Sequence, residues 1–133
     1  MITARRIYDP GVSYLLAPWF ICHDKTRVEI GEELYRRLEE SPEDTYCVVI
    51  AEPERFWGFI IAYTRYDDVF IWQALALPGM GCSGEVFADF LEWAKGKGYA
   101  RISCEARRNE AVKRLYGFKN SDNGELIKDI YNG

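Results

Sequence analysis

The chain has little of what makes metal sites, disulfide frameworks and membrane spans: few histidines, scattered cysteines and no long uninterrupted apolar run. It has a single histidine, His23, and four cysteines scattered at Cys22, Cys47, Cys82 and Cys104, with no Cys-x-x-Cys. That leaves no ligand set at zinc spacing, so no metal is expected. The same scatter, in a chain with ample apolar residues, argues against a disulfide framework. The longest apolar stretch, Tyr14 to Cys22, is interrupted by Pro18 and falls short of the roughly 18 residues that cross a bilayer. Met1-Ile2-Thr3-Ala4-Arg5-Arg6 leads into mixed polar sequence without the apolar region of a signal peptide. The net charge of −4 lacks the basic excess of a general nucleic-acid binder. A cytoplasmic protein without membrane or nucleic-acid partners is expected.

What is present suits one domain spanning residues 1–133, as a monomer or homodimer. Hydrophobic residues make up 48% and charged residues 29% of the 133 positions, which excludes intrinsic disorder. Nine Tyr, seven Phe and four Trp are enough for an aromatic core with some left for a cleft or interface.

Ile2 to Tyr8 reads as a strand, and Arg5-Arg6 in its middle marks it as an edge. Asp9-Pro10-Gly11 is a turn, and Val12 to Cys22 a short helix broken at Pro18, followed by a loop through His23-Asp24-Lys25. Thr26 with Glu29 forms a capping-box pattern, and Ile30, Leu34 and Leu38 line one helical face. Tyr46 to Ala51, Phe56 to Tyr63 and Val69 to Leu77 read as an antiparallel meander, turning at Glu52 to Arg55 and at Arg65 to Asp68. Glu52 falls in a turn and is expected to be exposed. Pro78 to Gly84 is a glycine-rich loop, and Glu85 to Lys95 a helix with Val86, Phe87, Phe90, Leu91 and Ala94 on one stripe. Tyr99 to Cys104 then makes a strand parallel to the preceding one, through a βαβ crossover. Asn109 to Tyr116 reads as a short helix, and Asp122-Asn123-Gly124 as the turn of a closing hairpin.

A glycine-rich loop feeding a helix offers free backbone N–H groups and the positive end of the helix dipole to an anion. The loop here has neither the Gly-Lys-Ser/Thr of a Walker loop nor a Gly-x-Gly-x-x-Gly fingerprint. By itself it fits a tight turn as well as a phosphate cradle.

The order of elements, the loop, and Leu91-Glu92-Trp93-Ala94-Lys95-Gly96-Lys97-Gly98 resemble the GNAT superfamily of N-acetyltransferases over nearly the whole chain, most strongly from Tyr46 to Phe118. The segment Asn109-Glu110-Ala111-Val112-Lys113-Arg114-Leu115-Tyr116-Gly117-Phe118 is similar to a second signature of the family, with a flavour of its small phage and prophage members. The resemblance implies an α/β (α+β) fold: a mixed, mostly antiparallel sheet with a βαβ crossover, splayed fourth and fifth strands, and flanking helices. It implies acyl-CoA-dependent transfer of an acetyl group to an amine, with acetyl-CoA as co-substrate and a small molecule or protein as acceptor. Backbone groups near Leu75 and Leu77 would polarise the thioester, and Gly79, Met80, Gly81, Cys82, Ser83 and Gly84 would hold the pyrophosphate. Splaying would open a cleft floored by Ala74 and Ala76. The family's loop carries Arg or Gln where this chain has Pro78 and Gly79. A non-catalytic CoA-binding or protein-interaction module of the same fold is therefore the alternative.

For the family's acid, a tyrosine that protonates the leaving thiolate, the resemblance offers two alignments. Anchored on Asn109, Tyr116 takes the position; anchored on Gly117-Phe118, Lys113 does. Glu105, after the fifth strand, is the candidate base. Gln73, a polar residue in the set Val69, Ile71, Leu75, Leu77, either contacts substrate or is turned outward by a bulge. Trp19 and His23, in the loop between the first helices, are candidate substrate contacts. Arg101, Arg107, Arg108, Lys113 and Arg114 form the one basic concentration, either a solvated face or a contact for the adenosine phosphates or an acidic partner.

Overall fold

The computed structural model describes residues 1–105, 117–121 and 123–131. The elements run β1 (Thr3–Arg6), α1 (Val12–Leu16), a 3-10 turn (Ala17–Trp19), α2 (Arg27–Glu40), a 3-10 turn (Pro42–Asp44), β2 (Thr45–Glu52), β3 (Arg55–Thr64), β4 (Val69–Ala76), α3 (Ser83–Gly96), β5 (Arg101–Glu105), β6 (Lys119–Asn120) and β7 (Glu125–Asp129). The strands are ordered β1-β2-β3-β4-β5-β7-β6 in a mostly antiparallel sheet, with β4 and β5 parallel as the crossover requires. The chain divides into two compact units: Met1–Ile61 with Gln73–Met80, and Ala62–Trp72 with Gly81–Gly133.

In the first unit, β1 is an edge strand paired only with β2, from Thr3↔Ala51 to Arg6↔Val48. It is shorter than the expected Ile2–Tyr8. The Arg6 guanidinium donates to the Thr45 carbonyl at 2.8 Å and lies over the Tyr8 and Tyr46 rings. Pro18 splits the aromatic segment into α1 and a 3-10 turn, because proline has no N–H to continue an α-helical ladder. The capping box of α2 is complete: Thr26 Oγ1 accepts from the Glu29 N–H, and the Thr26 N–H donates to Glu29 Oε1, both at 3.1 Å. Its apolar face buries Ile30, Leu34 and Leu38. Phe20 packs edge-on against Phe59 of β3, joining the loop after α1 to the core.

At Gly58 the backbones of β3 and β4 come too close for any side chain: a Cβ there would run into the Leu75 carbonyl oxygen. Glycine is required at that position by space, not by φ.

In the second unit, the tight turn joining β3 to β4 is organised by Arg65. Its guanidinium donates to both carboxylate oxygens of Asp68 at 2.7 Å, to both oxygens of Glu125 on β7 at 3.0 Å, and to Ser103 Oγ on β5 at 2.7 Å. Ser103 Oγ in turn donates to Asp68 at 2.8 Å, and the guanidinium covers the Phe70 ring. Parallel pairing of β4 with β5 is Val69↔Ile102, Phe70↔Ser103 and Ile71↔Cys104. β5 and β7 run antiparallel from Arg101↔Asp129 to Glu105↔Glu125. Helix α3 buries Val86, Phe90 and Ala94, while Phe87 and Leu91 at the margins of the expected stripe are only half-buried. Gly124, at φ +83°, makes the turn of the closing hairpin. The helix expected at 109–116 lies outside the described residues.

Arg65 sets an acid limit on stability. Burial alone would raise the Asp68 pKa, but hydrogen bonds from Arg65 and Ser103, with the Arg65 charge, outweigh it and hold it below the usual carboxylate value. A folded pKa below the unfolded one stabilises above the unfolded value of about 3.9 and loses that contribution as pH falls through the lowered value. Thermal melts from pH 7 to pH 2 should therefore show wild type losing stability below about pH 4. Arg65→Met strands two carboxylates and should cost about 3–5 kcal/mol at pH 7, with a shallower acid limb.

Candidate functional site

The chemistry expected of this chain falls on the last residues of β4 and the segment after them. The Leu77 N–H donates to the Trp57 carbonyl at 2.9 Å, so it is committed to β3. Backbone groups alternate sides along a strand. Of the Leu75–Leu77 stretch, the N–H directed to the edge away from β3 is therefore that of Ala76. The parallel ladder with β5 covers only Val69 to Ile71, and β4 runs on to Ala76.

From Leu77 the chain turns through a Met80 N–H to Leu77 carbonyl bond of 3.3 Å. Gly79 stands at φ +91° and Gly81 at φ +74°, conformations that favour glycine. Helix α3 begins at Ser83, two residues before the expected start, so Ser83 and Gly84 are its first residues and not loop. Cys82 is the N-cap and makes no side-chain capping bond. The first N–H groups of a helix have no partner within it, and here no cap supplies one. A Cβ on Gly84 would meet nothing within 4 Å, so the first turn is open. Two glycines at positive φ running into an uncapped helix of fourteen residues suit a phosphate group. Glu85 lies in the same first turn, exposed, and its carboxylate works against an anion there.

Met80 is buried, so only its backbone is available to a ligand, whereas Cys82 is half-exposed. All four cysteines are free thiols, and burial pushes the Cys47 thiol up to about 12, well outside the nucleophilic range.

Gln73 is 4% exposed and faces inward, not outward through a bulge. Its Oε1 accepts from the Ile21 N–H at 2.8 Å and its Nε2 donates to the Ile21 carbonyl at 3.0 Å. The side chain thus acts like one more strand residue, holding the loop that bears Trp19 and His23. Trp19 is 42% exposed and rests on the Phe56 ring at 5.1 Å; His23 is exposed. Trp19, His23 and Gln73 therefore belong to one neighbourhood, built on β3 and β4.

Glu105 is the exposed last residue of β5, opposite Glu125 in the register with β7. Tyr116, Lys113, Arg107, Arg108 and Arg114 lie outside the described residues; Arg101 is exposed at the start of β5. Glu52, expected in a turn, instead ends β2, half-buried, and accepts the Trp57 indole N–H at 3.0 Å. Sequence reasoning missed that indole, the Arg55 guanidinium stacked over it at 3.9 Å, and Lys128, which is 7% exposed on β7. A lysine in the alternating pattern Leu126, Lys128, Ile130 was the available signal for the last of these. Among the described residues, no group of three or more His, Cys, Asp or Glu could hold a metal ion, and no helix is long and apolar enough to cross a membrane.

No family model and no curated protein matches the chain. Solved structures do match it. A protein described as a predicted acetyltransferase with acetyl-CoA, from Clostridium acetobutylicum, superposes with a TM-score of 0.70 at 16% identity over 92% of each chain. The PaiA N-acetyltransferase of Thermoplasma acidophilum, in complex with coenzyme A, gives 0.65 at 16% identity over 96% of each chain. An acetyltransferase of the GNAT family from Streptococcus pneumoniae gives 0.62 at 14% identity over 96% of this chain and 97% of that one. The chain has the GNAT fold. Its mixed sheet, parallel β4–β5 pair and crossover helix α3 are those of that fold, at identities where only the fold is held in common.

The Gln73 clamp is directly testable. Gln73→Leu removes both hydrogen bonds and leaves the Ile21 N–H and carbonyl unpaired, which should cost about 1–3 kcal/mol in denaturant melts. Amide hydrogen exchange at Ile21 should rise with it, and unchanged exchange there would contradict the clamp.

Proposed function

We propose that this chain is an acyl-CoA-dependent N-acyltransferase that moves an acetyl group from acetyl-CoA to an amine. The observation that carries this reading is the run from β4 into α3: Gly79 and Gly81 at positive φ, then an uncapped helix N-terminus, within a GNAT fold. Main-chain N–H groups of Gly81 to Gly84 would bind the pyrophosphate. The Ala76 N–H would polarise the thioester carbonyl, a donor fixed in place before the reaction and needing no reorganisation. The amine attacks that carbonyl directly: the N–C bond forms, the C–S bond breaks, and the thiolate leaves with a proton from an acid. Tyr116 is our choice of acid and Glu105 of base, taking a proton from the acceptor ammonium so that the free amine can attack. Trp19 and His23 would border the acceptor, on a loop held by Gln73. The acceptor itself, small molecule or protein, follows from nothing in the loop.

The alternative, a CoA-binding or protein-interaction module without transfer, is favoured by one observation: Pro78 to Gly84 contains no Arg or Gln, and Glu85 adds a carboxylate beside it.

Isothermal titration should show acetyl-CoA binding in the micromolar range. Gly81→Glu, which places both a strained φ and a carboxylate at the loop, should abolish that heat. Absence of heat with wild type at millimolar acetyl-CoA would sink the cofactor assignment.

Turnover separates the two readings. Free-thiol release with acetyl-CoA and a panel of amines should be detectable, and Tyr116→Phe should slow it about a hundred- to ten-thousand-fold. A near-wild-type rate for Tyr116→Phe would move the acid to Lys113 or to water. Glu105→Gln should slow transfer most where the amine is protonated.

A further inference from the structure

We propose that the acceptor is a primary amine carried on a single aromatic or apolar group, an arylalkylamine, whose ring seats against Trp19; the proposal deepens the acyltransferase reading above and rests on it. The observations that carry it all lie within the first unit. A chain of aromatic rings runs there from the core to the surface: Phe20 meets Phe59 at 6.2 Å, Phe59 meets Phe56 at 6.2 Å, and Phe56 meets Trp19 at 5.1 Å. Phe20 and Phe59 are buried and Phe56 is half-buried, while Trp19 ends the chain exposed, and among the described residues no further ring lies on it. Helix α1 runs directly into the 3-10 turn, so Leu15, four residues before Trp19, stands on the same side, and it too is exposed. Ile21, on the loop that follows, adds a third exposed apolar side chain.

This surface is fixed in advance. Gln73 binds both backbone groups of Ile21, Lys25 pairs with Glu33 of α2 at 3.5 Å, and Thr26 is held in its capping box. An apolar surface already ordered loses little entropy when a ligand covers it, and a ring seated there takes apolar area on both partners out of water. Charge narrows the ligand further. Between residues 17 and 26 Lys25 is paired with Glu33, and Asp24 is an exposed carboxylate with no ion pair or hydrogen bond among the described residues. One free carboxylate complements one ammonium and leaves the additional charges of a polyamine unmatched. The Gln73 clamp also ties this loop to β4 three residues before Ala76, whose N–H is the thioester donor of the reading above. Transfer then converts the ammonium and acetyl-CoA into an N-acetyl amide, the free thiol of CoA and one released proton.

Rates of thiol release from acetyl-CoA with 2-phenylethylamine, ethylamine and spermidine test this in wild type, Trp19→Ala and Trp19→Phe. Burial of one ring predicts a wild-type kcat/KM about ten- to a hundredfold higher for 2-phenylethylamine than for ethylamine. That ratio should collapse to about threefold or less in Trp19→Ala and recover in large part in Trp19→Phe, which restores a ring. Taking the ratio within each variant cancels any loss of folded protein. Spermidine should be a poorer acceptor than 2-phenylethylamine. Equal or better transfer to ethylamine or spermidine, or a ratio unchanged in Trp19→Ala, overturns the acceptor class and leaves the acyltransferase reading standing. A wild-type dimer in sedimentation that Trp19→Ala converts to monomer assigns the surface to a second copy of the chain and overturns the class as well. Acetyl-CoA binding without thiol release to any of the three amines overturns the proposal in favour of the non-catalytic module. Failure of wild type to bind acetyl-CoA overturns the reading on which the proposal rests, and the proposal with it.

Discussion

The second unit depends on one cation. Arg65 touches the β3–β4 turn, β5 and β7 together through Asp68, Ser103 and Glu125, and its face is closed by Phe70. Hydrogen bonds to Asp68 and Glu125 push its pKa further up, so the charge is permanent. The Tyr99 hydroxyl adds a bond to the Arg65 carbonyl at 3.0 Å. An apolar residue would satisfy this space with less desolvation. What the ionic arrangement adds is register: Ser103 pairs with Phe70 on one side and Ile127 on the other, and a slip of one residue would turn its hydroxyl to the opposite face. Two short ladders that share one guanidinium cannot slide independently.

The first unit has a steric counterpart in Gly58. The approach of the Leu75 carbonyl to its Cα leaves no room for a side chain, and that closeness fixes which backbone groups of β4 face β3. Leu77 is committed to Trp57, and Ala76 is directed the other way. Among the Leu75 to Leu77 N–H groups, strand alternation and not residue type thus decides which one is directed away from β3. A side chain cannot specify this; a missing one can.

What could be read in advance was what local pattern encodes. The capping box at Thr26, the face Ile30-Leu34-Leu38, the meander and the parallel fourth and fifth strands all follow from periods and turn residues within a few positions of one another. The start of α3 was misplaced because Ser83 and Gly84 are poor helix formers and Cys82 gives no capping signal; tertiary packing of Val86, Phe90 and Ala94 decides it instead. Gln73 was recognised as out of place, but its partner is Ile21, a separation of 52 residues. Arg65 with Glu125 and Arg6 with Thr45 are equally remote in sequence, and a turn arginine or an edge arginine reads locally as solvated. Glu52 looked like a turn residue because Pro53 follows it, and only the indole of Trp57 gives its carboxylate a reason to fold inward.

The same division explains how a chain with 14–16% identity to acetyltransferases of known structure keeps their fold. An anion cradle made of main-chain N–H groups is encoded by φ angles and by where a helix begins. Such a site needs glycine at one or two positions and constrains no other side chain. Basic side chains that strengthen it can come from any strand that runs alongside, because a phosphate responds to charge and direction and not to where in the sequence the charge arises. Selectivity for an acceptor has no main-chain equivalent. It requires side chains of particular shape; Trp19 and His23, the acceptor contacts we propose, sit on a loop whose backbone is bound by the Gln73 side chain. Fold and anion cradle can therefore persist while the acceptor changes, and the residues of that loop are where the change would be written.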